Sequence, residues 1–416
     1  APTEHPLAVA FGGLLSLTGG AAPRLLVGAT LASFVLLVAA LYRLAAASFT
    51  VLVGLLAAAL LCTRFDFPFL AARGYLDVPY LALVVWAATL EVRRPRRGVP
   101  VLVLLALAGL LRPEAWLLSG AYFLWCATPA GWSQRVRLAV LAAFAPLLWT
   151  GVDAAVTGAP LFSLTHTSGL AEELGRQRGL SDVPDAMLAF LRGLDKAPVF
   201  SAGIVGLLVA TLLVPRRARV PLALLLVGLA TFVLVGVAGL SVISRYLLVP
   251  SLMVMVFAAV ALGGWTMLRE GVALRRGWAL AAGLVIAYGL AFTVPRTSLR
   301  TFSEELHFRA DSQAGLEGLL RRPAVRAALP CGAVSLPNHK LVPNVRWALG
   351  RGVDGVIARS DPRRRGQLRR GVAIYATGPT SFKRYGFDPD DIVNALPLPG
   401  YRFAGATRFF GAYVRC

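Results

Sequence analysis

The sequence predicts an all-α, polytopic membrane bundle followed by a small α/β domain. Hydrophobic residues make up 57% of the 416 residues and the mean hydropathy is +0.68, values typical of a membrane protein. About ten apolar runs, separated by short polar stretches, follow one another up to residue 295. From Arg296 the hydropathy falls. We therefore divide the chain into a membrane domain, 1–295, and an extramembrane domain, 296–416.

The apolar runs define about ten spans. A span needs roughly 20 apolar residues. Several runs have only 13 to 15, so we expect some to tilt into the protein instead of facing lipid from end to end. Residues 6–19 are apolar but too short to cross, which favours an interfacial or re-entrant helix. The predicted spans are 24–43, 49–62, 78–92, 99–111, 114–127, 137–156, 198–214, 220–242, 246–268 and 277–294.

Arginine clusters between the spans predict the orientation. If every span is crossed, all of these clusters fall on one side, which the positive-inside rule makes the cytoplasm. This requires 99–127 to be a short hairpin, because a single kinked helix would place the later clusters on the other side. The clusters are Arg43, Arg93 to Arg97, Arg135 with Arg137, Arg216 to Arg219, and Arg269 with Arg275 and Arg276.

The same topology collects the side chains that could do chemistry on the opposite, extracytoplasmic face. One polar stretch, 63–80, carries Arg64, Asp66, Arg73 and Asp77 between two apolar runs. Ionisable groups at the edge of a span usually face a water-filled cavity or a partner, so they indicate a functional site. The alternative is a wet loop in which the two aspartates pair with the two arginines.

Four other polar features lie on that face. They are Glu4 and His5, the break Arg112-Pro113-Glu114, His166 in the long loop 157–197, and Arg245 with Tyr246. A loop of that length and mixed charge favours a lid or a short amphipathic helix over a cavity, the alternative being a surface connector with no role. Arginine forks suit phosphate, and a carboxylate suits proton abstraction or the binding of a divalent cation.

The net charge of +21 does not indicate nucleic-acid binding. A nucleic-acid binder concentrates basic residues with aromatics on one domain, whereas many of these lie in short clusters between apolar runs. The sequence has no Walker A loop, His-Glu-x-x-His, Gly-x-Ser-x-Gly or CxxC motif, and its four scattered histidines argue against a histidine-based metal cluster. The cofactor is unknown, with a divalent cation as a candidate.

The polar domain 296–416 alternates strand-like runs with a helical pattern near 303–328. Its 20 Arg and Lys against 9 Asp and Glu suit anionic headgroups or an acidic polymer, or a simply solvated face. Cys331 and Cys416 predict one disulfide in an oxidising compartment, against two free thiols. Cys62 and Cys126 lie in apolar runs and indicate core residues. The strand-like runs are 332–336, 355–358, 372–376 and 409–414.

Several short motifs stand out in the membrane domain. They are Glu4-His5-Pro6-Leu7, Arg24, Tyr42-Arg43-Leu44, Ala72-Arg73-Gly74-Tyr75-Leu76-Asp77, Leu111-Arg112-Pro113-Glu114 and Ser244-Arg245-Tyr246-Leu247-Leu248-Val249-Pro250. In layout, residues 1–295 resemble the GT-C membrane glycosyltransferases, which include protein O-mannosyltransferases, bacterial aminoarabinose transferases and arabinofuranosyltransferases. In these, a His-Pro-Pro-Leu or Lys-Pro-Pro-Leu motif follows the first outer loop, and an Ala-Arg-x-x-Asp-like segment opens a later span.

The resemblance implies an inverting transfer of a sugar from a polyprenyl-phosphate donor to an extracytoplasmic glycan, lipid or protein of the cell envelope. It also implies a bacterial plasma membrane, with 296–416 outside. Asp77 and Glu4 become the catalytic candidates, and Asp77 would lie near the sugar or a metal. Glu4 and His5 would lie at the donor phosphate, and Arg73 and Arg245 would hold it. The predicted substrate-binding residues are His5, Arg64, Asp66, Arg73, Arg112, Glu114, His166, Arg245 and Tyr246.

The chain begins at the Pro-Leu motif, whereas the principal catalytic acid of these enzymes lies ahead of it, in the first outer loop. We therefore expect that acid in a segment before Ala1. A mature protein without such a segment would favour the alternative, a non-catalytic GT-C-like subunit that binds lipid or partner proteins. A transporter or flippase is a third hypothesis, but the inverted repeat and midplane charges expected of many transporters do not occur in the sequence.

Overall fold

The protein forms two compact units, residues 1–297 and residues 298–416. A computed structural model describes residues 5–163, 165, 179–293, 299–361, 364, 368–378, 380–382 and 397–416. The helices of the first unit are α1 (Pro6–Ser16), α2 (Ala22–Ser48), α3 (Val51–Thr63), α4 (Asp66–Ala72), α5 (Asp77–Arg93), α6 (Val99–Leu111), α7 (Glu114–Ala127), α8 (Trp132–Thr157), α9 (Val183–Leu213), α10 (Pro215–Val237), α11 (Leu248–Gly263) and α12 (Ala273–Thr293).

The first unit is a multi-pass membrane bundle. Among the described residues, five helical segments are long and apolar enough to cross a membrane, and α3 with α4, bent by 63°, would make a sixth. Other predicted spans form α5, α6 and α7, which have only 13 to 17 residues and are shorter than a typical span. The five segments are Gly19–Ser48, Trp132–Thr157, Leu180–Leu213, Pro215–Val237 and Ser244–Met267.

Helix α11 lies at the centre of this bundle. In the segment Ser244–Met267, 89% of the apolar window is buried inside the protein, against 17 to 39% in the other four segments. Its most extensive packing is against α9. At Gly206 of α9 an added Cβ would lie 1.7 Å from the carbonyl oxygen of Phe257. Glycine therefore allows the two backbones to approach closely, as small residues do at helix contacts in membranes.

Several helix breaks in the described part of the first unit lie next to ionisable residues, among them the following three. Arg112 and Pro113 separate α6 from α7, and Arg64 lies between α3 and α4. Inside α9, Lys196 has a left-handed φ of 63° two residues before Pro198. A proline removes a helical hydrogen bond and its ring clashes with the preceding turn, which explains two of the breaks. Irregular backbone at membrane depth is tolerated only where protein or water surrounds it, so each break is a candidate polar site.

The second unit is an α/β domain built on one sheet. Its strands run in the order β2-β1-β3-β5-β4, with β1 parallel to β2 and β3, and β5 antiparallel to β3 and β4. The predicted strand-like runs all contain strands, but β4 was not predicted. The elements are α13 (Leu299–Leu320), α14 (Pro323–Ala328), α15 (Val342–Leu349), β1 (Ala333–Leu336), β2 (Val356–Ala358), β3 (Gly371–Ala376), β4 (Arg402–Ala406) and β5 (Phe410–Arg415).

Cys331 and Cys416, the pair predicted to be bridged, form a disulfide with their Cα atoms 5.3 Å apart. The bond joins the turn before β1 to the residue after β5, so it closes the domain across a sequence separation of 85 residues. Cys62 and Cys126 are free thiols, the first exposed and the second buried.

Replacing both Cys331 and Cys416 by serine is expected to lower the free energy of unfolding of the second unit by about 2–5 kcal/mol, because the open chain gains loop entropy when it unfolds. Pulse proteolysis of the full chain in detergent across a urea series measures this as a lower midpoint for cleavage of the second unit. Cys62→Ser, which removes an exposed free thiol, is the control. Equal midpoints for the two variants would contradict the prediction.

Candidate functional site

Asp77 is the centre of a buried ionic cluster in the first unit. It opens α5, where a negative charge is favourable because the helix dipole is positive at that end, and its side chain is completely buried. Arg245 donates to both carboxylate oxygens, from Nε at 3.1 Å and from Nη2 at 2.7 Å. Arg112 donates from Nη1 to Oδ1 as well. Both oxygens of Asp77 are therefore held by guanidinium groups.

Arg112 links Asp77 to a second buried carboxylate. Its Nε and Nη2 groups donate to Oε1 of Glu114, at 2.9 and 2.6 Å. Arg112 is 6% exposed and Glu114 8% exposed. Because Arg112 is extended at the end of α6 and Glu114 opens α7, the helix break itself brings the two side chains together. With Arg245 the cluster has two positive and two negative charges, the balance that burial of ions requires.

Arg245 and Arg73 form the open edge of this cluster. The side chain of Arg245 is 39% exposed and lies over the ring of Tyr75, 5.0 Å from its centroid. Arg73 lies 4.5 Å from the same centroid and donates from Nη2 to the Tyr75 hydroxyl at 2.7 Å. One tyrosine therefore positions two cations by cation–π contact. Asp77 balances part of the charge on Arg245, and the two guanidinium groups at this edge have the geometry that suits an anion.

A small cavity adjoins the cluster. It has room for about one water molecule, about 10 Å³, so a phosphate would bind at the arginine edge and not inside it. Two tyrosines of this cavity also contact Arg112. The guanidinium carbon of Arg112 lies 5.6 Å from the ring centroid of Tyr246 and 5.8 Å from that of Tyr80. Sequence reasoning missed Tyr75, Tyr80 and Thr231. The cavity is lined by Tyr80, Glu114, Leu118, Gly228, Thr231, Arg245, Tyr246 and Val249.

His5 lies behind the cluster. Its Nδ1 is 2.5 Å from the carbonyl oxygen of Leu111, the residue before Arg112, and its ring meets that of Trp149 edge-on at 5.6 Å. This contact holds the start of α1 against the end of α6. Glu4 and His166, the other candidates from the outer segments, lie outside the described residues.

Arg64 lies in a different polar group, and Asp66 is its neighbour at the start of α4. Arg64 donates from Nη1 to the backbone carbonyl of Asp195 at 2.9 Å. The Asp195 side chain is completely buried in α9 and accepts from the hydroxyl of Ser251 at 2.7 Å. Sequence reasoning missed Asp195, because it fell in the predicted loop 157–197, whereas α9 already begins at Val183. A charged residue between apolar runs was the available signal.

Metal ligands are not grouped in the part of the chain that the structure describes. No set of three His, Cys, Asp or Glu side chains there could hold an ion. Asp77, the residue considered for a divalent cation, has both carboxylate oxygens engaged by arginines in this arrangement.

The helical bundle with its appended α/β unit has the fold of a solved membrane protein, and this confirms the fold class predicted from the sequence. The solved structure that shows this is the crystal structure of ArnT from Cupriavidus metallidurans in the apo state. It matches with a TM-score of 0.56 and 12% identity, over 99% of this chain and 87% of that chain. No protein-family model and no curated protein matches the chain. What the two proteins share at this identity is the fold.

Proposed function

We propose that the protein transfers a sugar from a polyprenyl-phosphate donor to an extracytoplasmic acceptor. The observation that carries this is the pair Arg73 and Arg245 at the open edge of a neutral buried cluster, anchored by Tyr75 and Asp77. Arginine forks match the geometry of phosphate oxygens. The ArnT-like fold supports a membrane glycosyltransferase whose donor is carried by lipid.

The role of the arginines follows from the charge that develops during transfer. The acceptor hydroxyl oxygen forms the new bond to the anomeric carbon. The bond from that carbon to the phosphate oxygen breaks, and its electron pair leaves on the polyprenyl phosphate. Fixed positive groups at that phosphate stabilise the leaving group without reorganising at the moment of reaction. Arg245 is held by Nε and Nη2, which leaves Nη1 for the phosphate.

We assign the two buried carboxylates to positioning the arginines. Both Asp77 oxygens hold guanidinium groups, so Asp77 positions Arg245 and Arg112. Glu114 positions Arg112 through its Oε1 and lines the cavity, which has room for about one water molecule and not for a sugar. The proton of the acceptor hydroxyl passes to a carboxylate base.

The setting in the cell belongs to the same proposal. The membrane is the bacterial plasma membrane, residues 296–416 lie outside it, and the acceptor is a cell-envelope glycan, lipid or protein. A second candidate function, a non-catalytic subunit that binds lipid phosphate, is favoured by one observation. Both oxygens of the Asp77 carboxylate are occupied by arginines, so Asp77 completes an anion site and does not serve as a free base beside it.

Arg245→Gln is expected to weaken binding of polyprenyl phosphate by about 10- to 100-fold, the size expected when a hydrogen bond to a charged group is lost. Arg245 is partly exposed, so the fold should be retained. Native mass spectrometry of the full-length protein with synthetic polyprenyl phosphate measures the Kd. Arg43→Gln is the matched control, because Arg43 also lies over an aromatic ring, that of Trp86 at 5.8 Å.

Transfer is measured on the same samples in proteoliposomes, with polyprenyl-phosphate-linked pentoses and hexoses as donors and envelope extract as acceptor. Consumption of a donor by the wild-type protein supports the enzyme. Binding without consumption of any donor favours the non-catalytic subunit. If Arg245→Gln binds as well as Arg43→Gln, the assignment of the phosphate site is wrong.

A further inference from the structure

We propose that a cavity at the amino ends of α6 and α8 binds the phosphate headgroup of an anionic phospholipid. This site is separate from the proposed glycosyltransferase site and does not depend on it. Helix α5 runs from Asp77 to Arg93, and 17 helical residues cover roughly 25 Å. The cavity lies just past Arg93, so it is at the far end of that helix from the ionic cluster.

The cavity has a basic lining. Its volume is about 490 Å³, enough for a headgroup. Arg97 and Arg137 line it, and no acidic side chain does. Throughout the described ranges neither arginine forms an ion pair or a side-chain hydrogen bond. The lining residues are Arg97, Gly98, Val99, Gly131, Trp132, Ser133, Gln134, Arg137 and Leu138.

The loop that carries Arg97 is held in place by a buried carboxylate. Glu91 is 6% exposed and accepts from the backbone N–H of Arg96 at 2.9 Å, from the Tyr122 hydroxyl at 2.7 Å and from Trp125 Nε1 at 3.0 Å. The Tyr122 hydroxyl in turn accepts from the N–H of Gly98 at 3.0 Å. These bonds fix the backbone on both sides of Arg97. The backbone position of this arginine is therefore set before any ligand binds.

Two neighbouring arginines, Arg96 and Arg135, contact other groups of the protein, unlike the two arginines that line the cavity. Arg96 lies over the ring of Trp125 at 4.4 Å. Arg135 donates to the carbonyl oxygens of Ala127 and Thr128 at 2.9 and 3.4 Å. Arg97 and Arg137 are thus the guanidinium groups in this region that face the cavity. Basic pockets between membrane helices on the cytoplasmic side are typical headgroup sites.

The surface beside the cavity fits acyl chains, which identifies the ligand as a lipid and not a soluble phosphate. Trp132 is 79% exposed at the start of α8, a position typical of the membrane–water interface. An exposed apolar stripe continues along α8 from the cavity with helical spacing. Its residues are Val136, Val140, Phe144 and Leu147, which are 44%, 61%, 47% and 67% exposed.

The test measures binding of phosphatidylglycerol to the delipidated full-length protein by native mass spectrometry, with phosphatidylcholine for comparison. Arg97→Gln/Arg137→Gln is expected to weaken phosphatidylglycerol binding by about tenfold or more. Arg97→Lys/Arg137→Lys keeps both charges and should retain most of the affinity. The matched control is Arg93→Gln/Arg94→Gln, which removes two exposed arginines that lie where α5 meets the same loop and that do not line the cavity.

Each outcome decides the proposal. Selective loss in the Arg97/Arg137 glutamine variant, with the control unchanged, supports it. Equal loss in the control would show general attraction to the arginine cluster and overturn the specific site. Unchanged binding in the Arg97/Arg137 glutamine variant would overturn it as well. Full competition by millimolar inorganic phosphate would identify a soluble-anion site and exclude the lipid. Thermal unfolding of every variant confirms that the compared proteins are folded.

Discussion

Replacing Asp77 by asparagine is expected to reduce sugar transfer by about 10²- to 10³-fold in a protein that still folds. The carboxylate holds Arg245 through two hydrogen bonds and Arg112 through another. An asparagine side chain has the same size, but only its single oxygen can accept, so Arg245 loses its paired anchor. An arginine that no longer has one fixed position stabilises the leaving phosphate less well.

Initial rates of transfer in proteoliposomes measure this effect, with kcat and donor KM determined separately. Asp185→Asn, an exposed aspartate near the start of α9, is the control. If Asp77 acts by positioning Arg245, the double variant Asp77→Asn/Arg245→Gln should be about as impaired as the worse single variant, because the two residues act as one unit. Fully additive losses would contradict the positioning role and would support direct contact of Asp77 with the sugar.

The charged members of the cluster could be predicted from the sequence for a physical reason. Arg73 and Asp77 belong to one short stretch, and Arg112 and Arg245 lie far from it along the chain, yet each of the four interrupts or borders an apolar run. Lipid does not solvate such groups, so they must meet partners inside the bundle. This need for partners predicts that the charged residues cluster, but it does not predict which of them pair with each other. Arg64 also has a partner inside the bundle, but that partner is the backbone carbonyl of Asp195 and not a member of this cluster.

The uncharged members could not be predicted in this way. Tyr75, Tyr80 and Thr231 border the arginines or the cavity, but tyrosine and threonine are common in apolar helices and carry no penalty that would single them out. Asp195 was not predicted as a site residue because of the residues that surround it in the sequence. The sequence Asp195-Lys196-Ala197-Pro198 resembles a loop, whereas in the structure a single strained residue, Lys196, absorbs the turn within α9.

The second unit shows a similar limit for β-structure. β1 and β3 are buried runs of apolar residues, and their burial explains why hydropathy alone indicated them. β4 begins with exposed Arg402 and Phe403, and its pairing with β5 is irregular between Phe403 and Gly405. An exposed edge strand with a bulge lacks the alternation that predicts a strand, so only its pairing with β5 defines it.

Arg112 has a different expected role from Arg245, because it is buried between two carboxylates. Arg112→Met is expected to lower the free energy of unfolding by about 3–5 kcal/mol, the cost of leaving buried charge without its partner. Glu114 would lose the guanidinium that donates to its Oε1 twice, and Asp77 would keep only Arg245. Arg245→Met makes the same chemical change at a partly exposed site, and Asp77 keeps Arg112, so the loss of stability should be smaller than that in Arg112→Met.

Chemical denaturation in detergent micelles, followed by tryptophan fluorescence, compares the two methionine variants. A third variant tests the mechanism: Arg112→Met combined with Glu114→Gln removes the uncompensated charge together with its partner. If the loss in Arg112→Met arises from the stranded carboxylate, this double variant should be more stable than Arg112→Met alone, because a neutral pair needs no counterion. A double variant as unstable as the single one would show that Arg112 stabilises the bundle by packing between the rings of Tyr80 and Tyr246, and not by its charge.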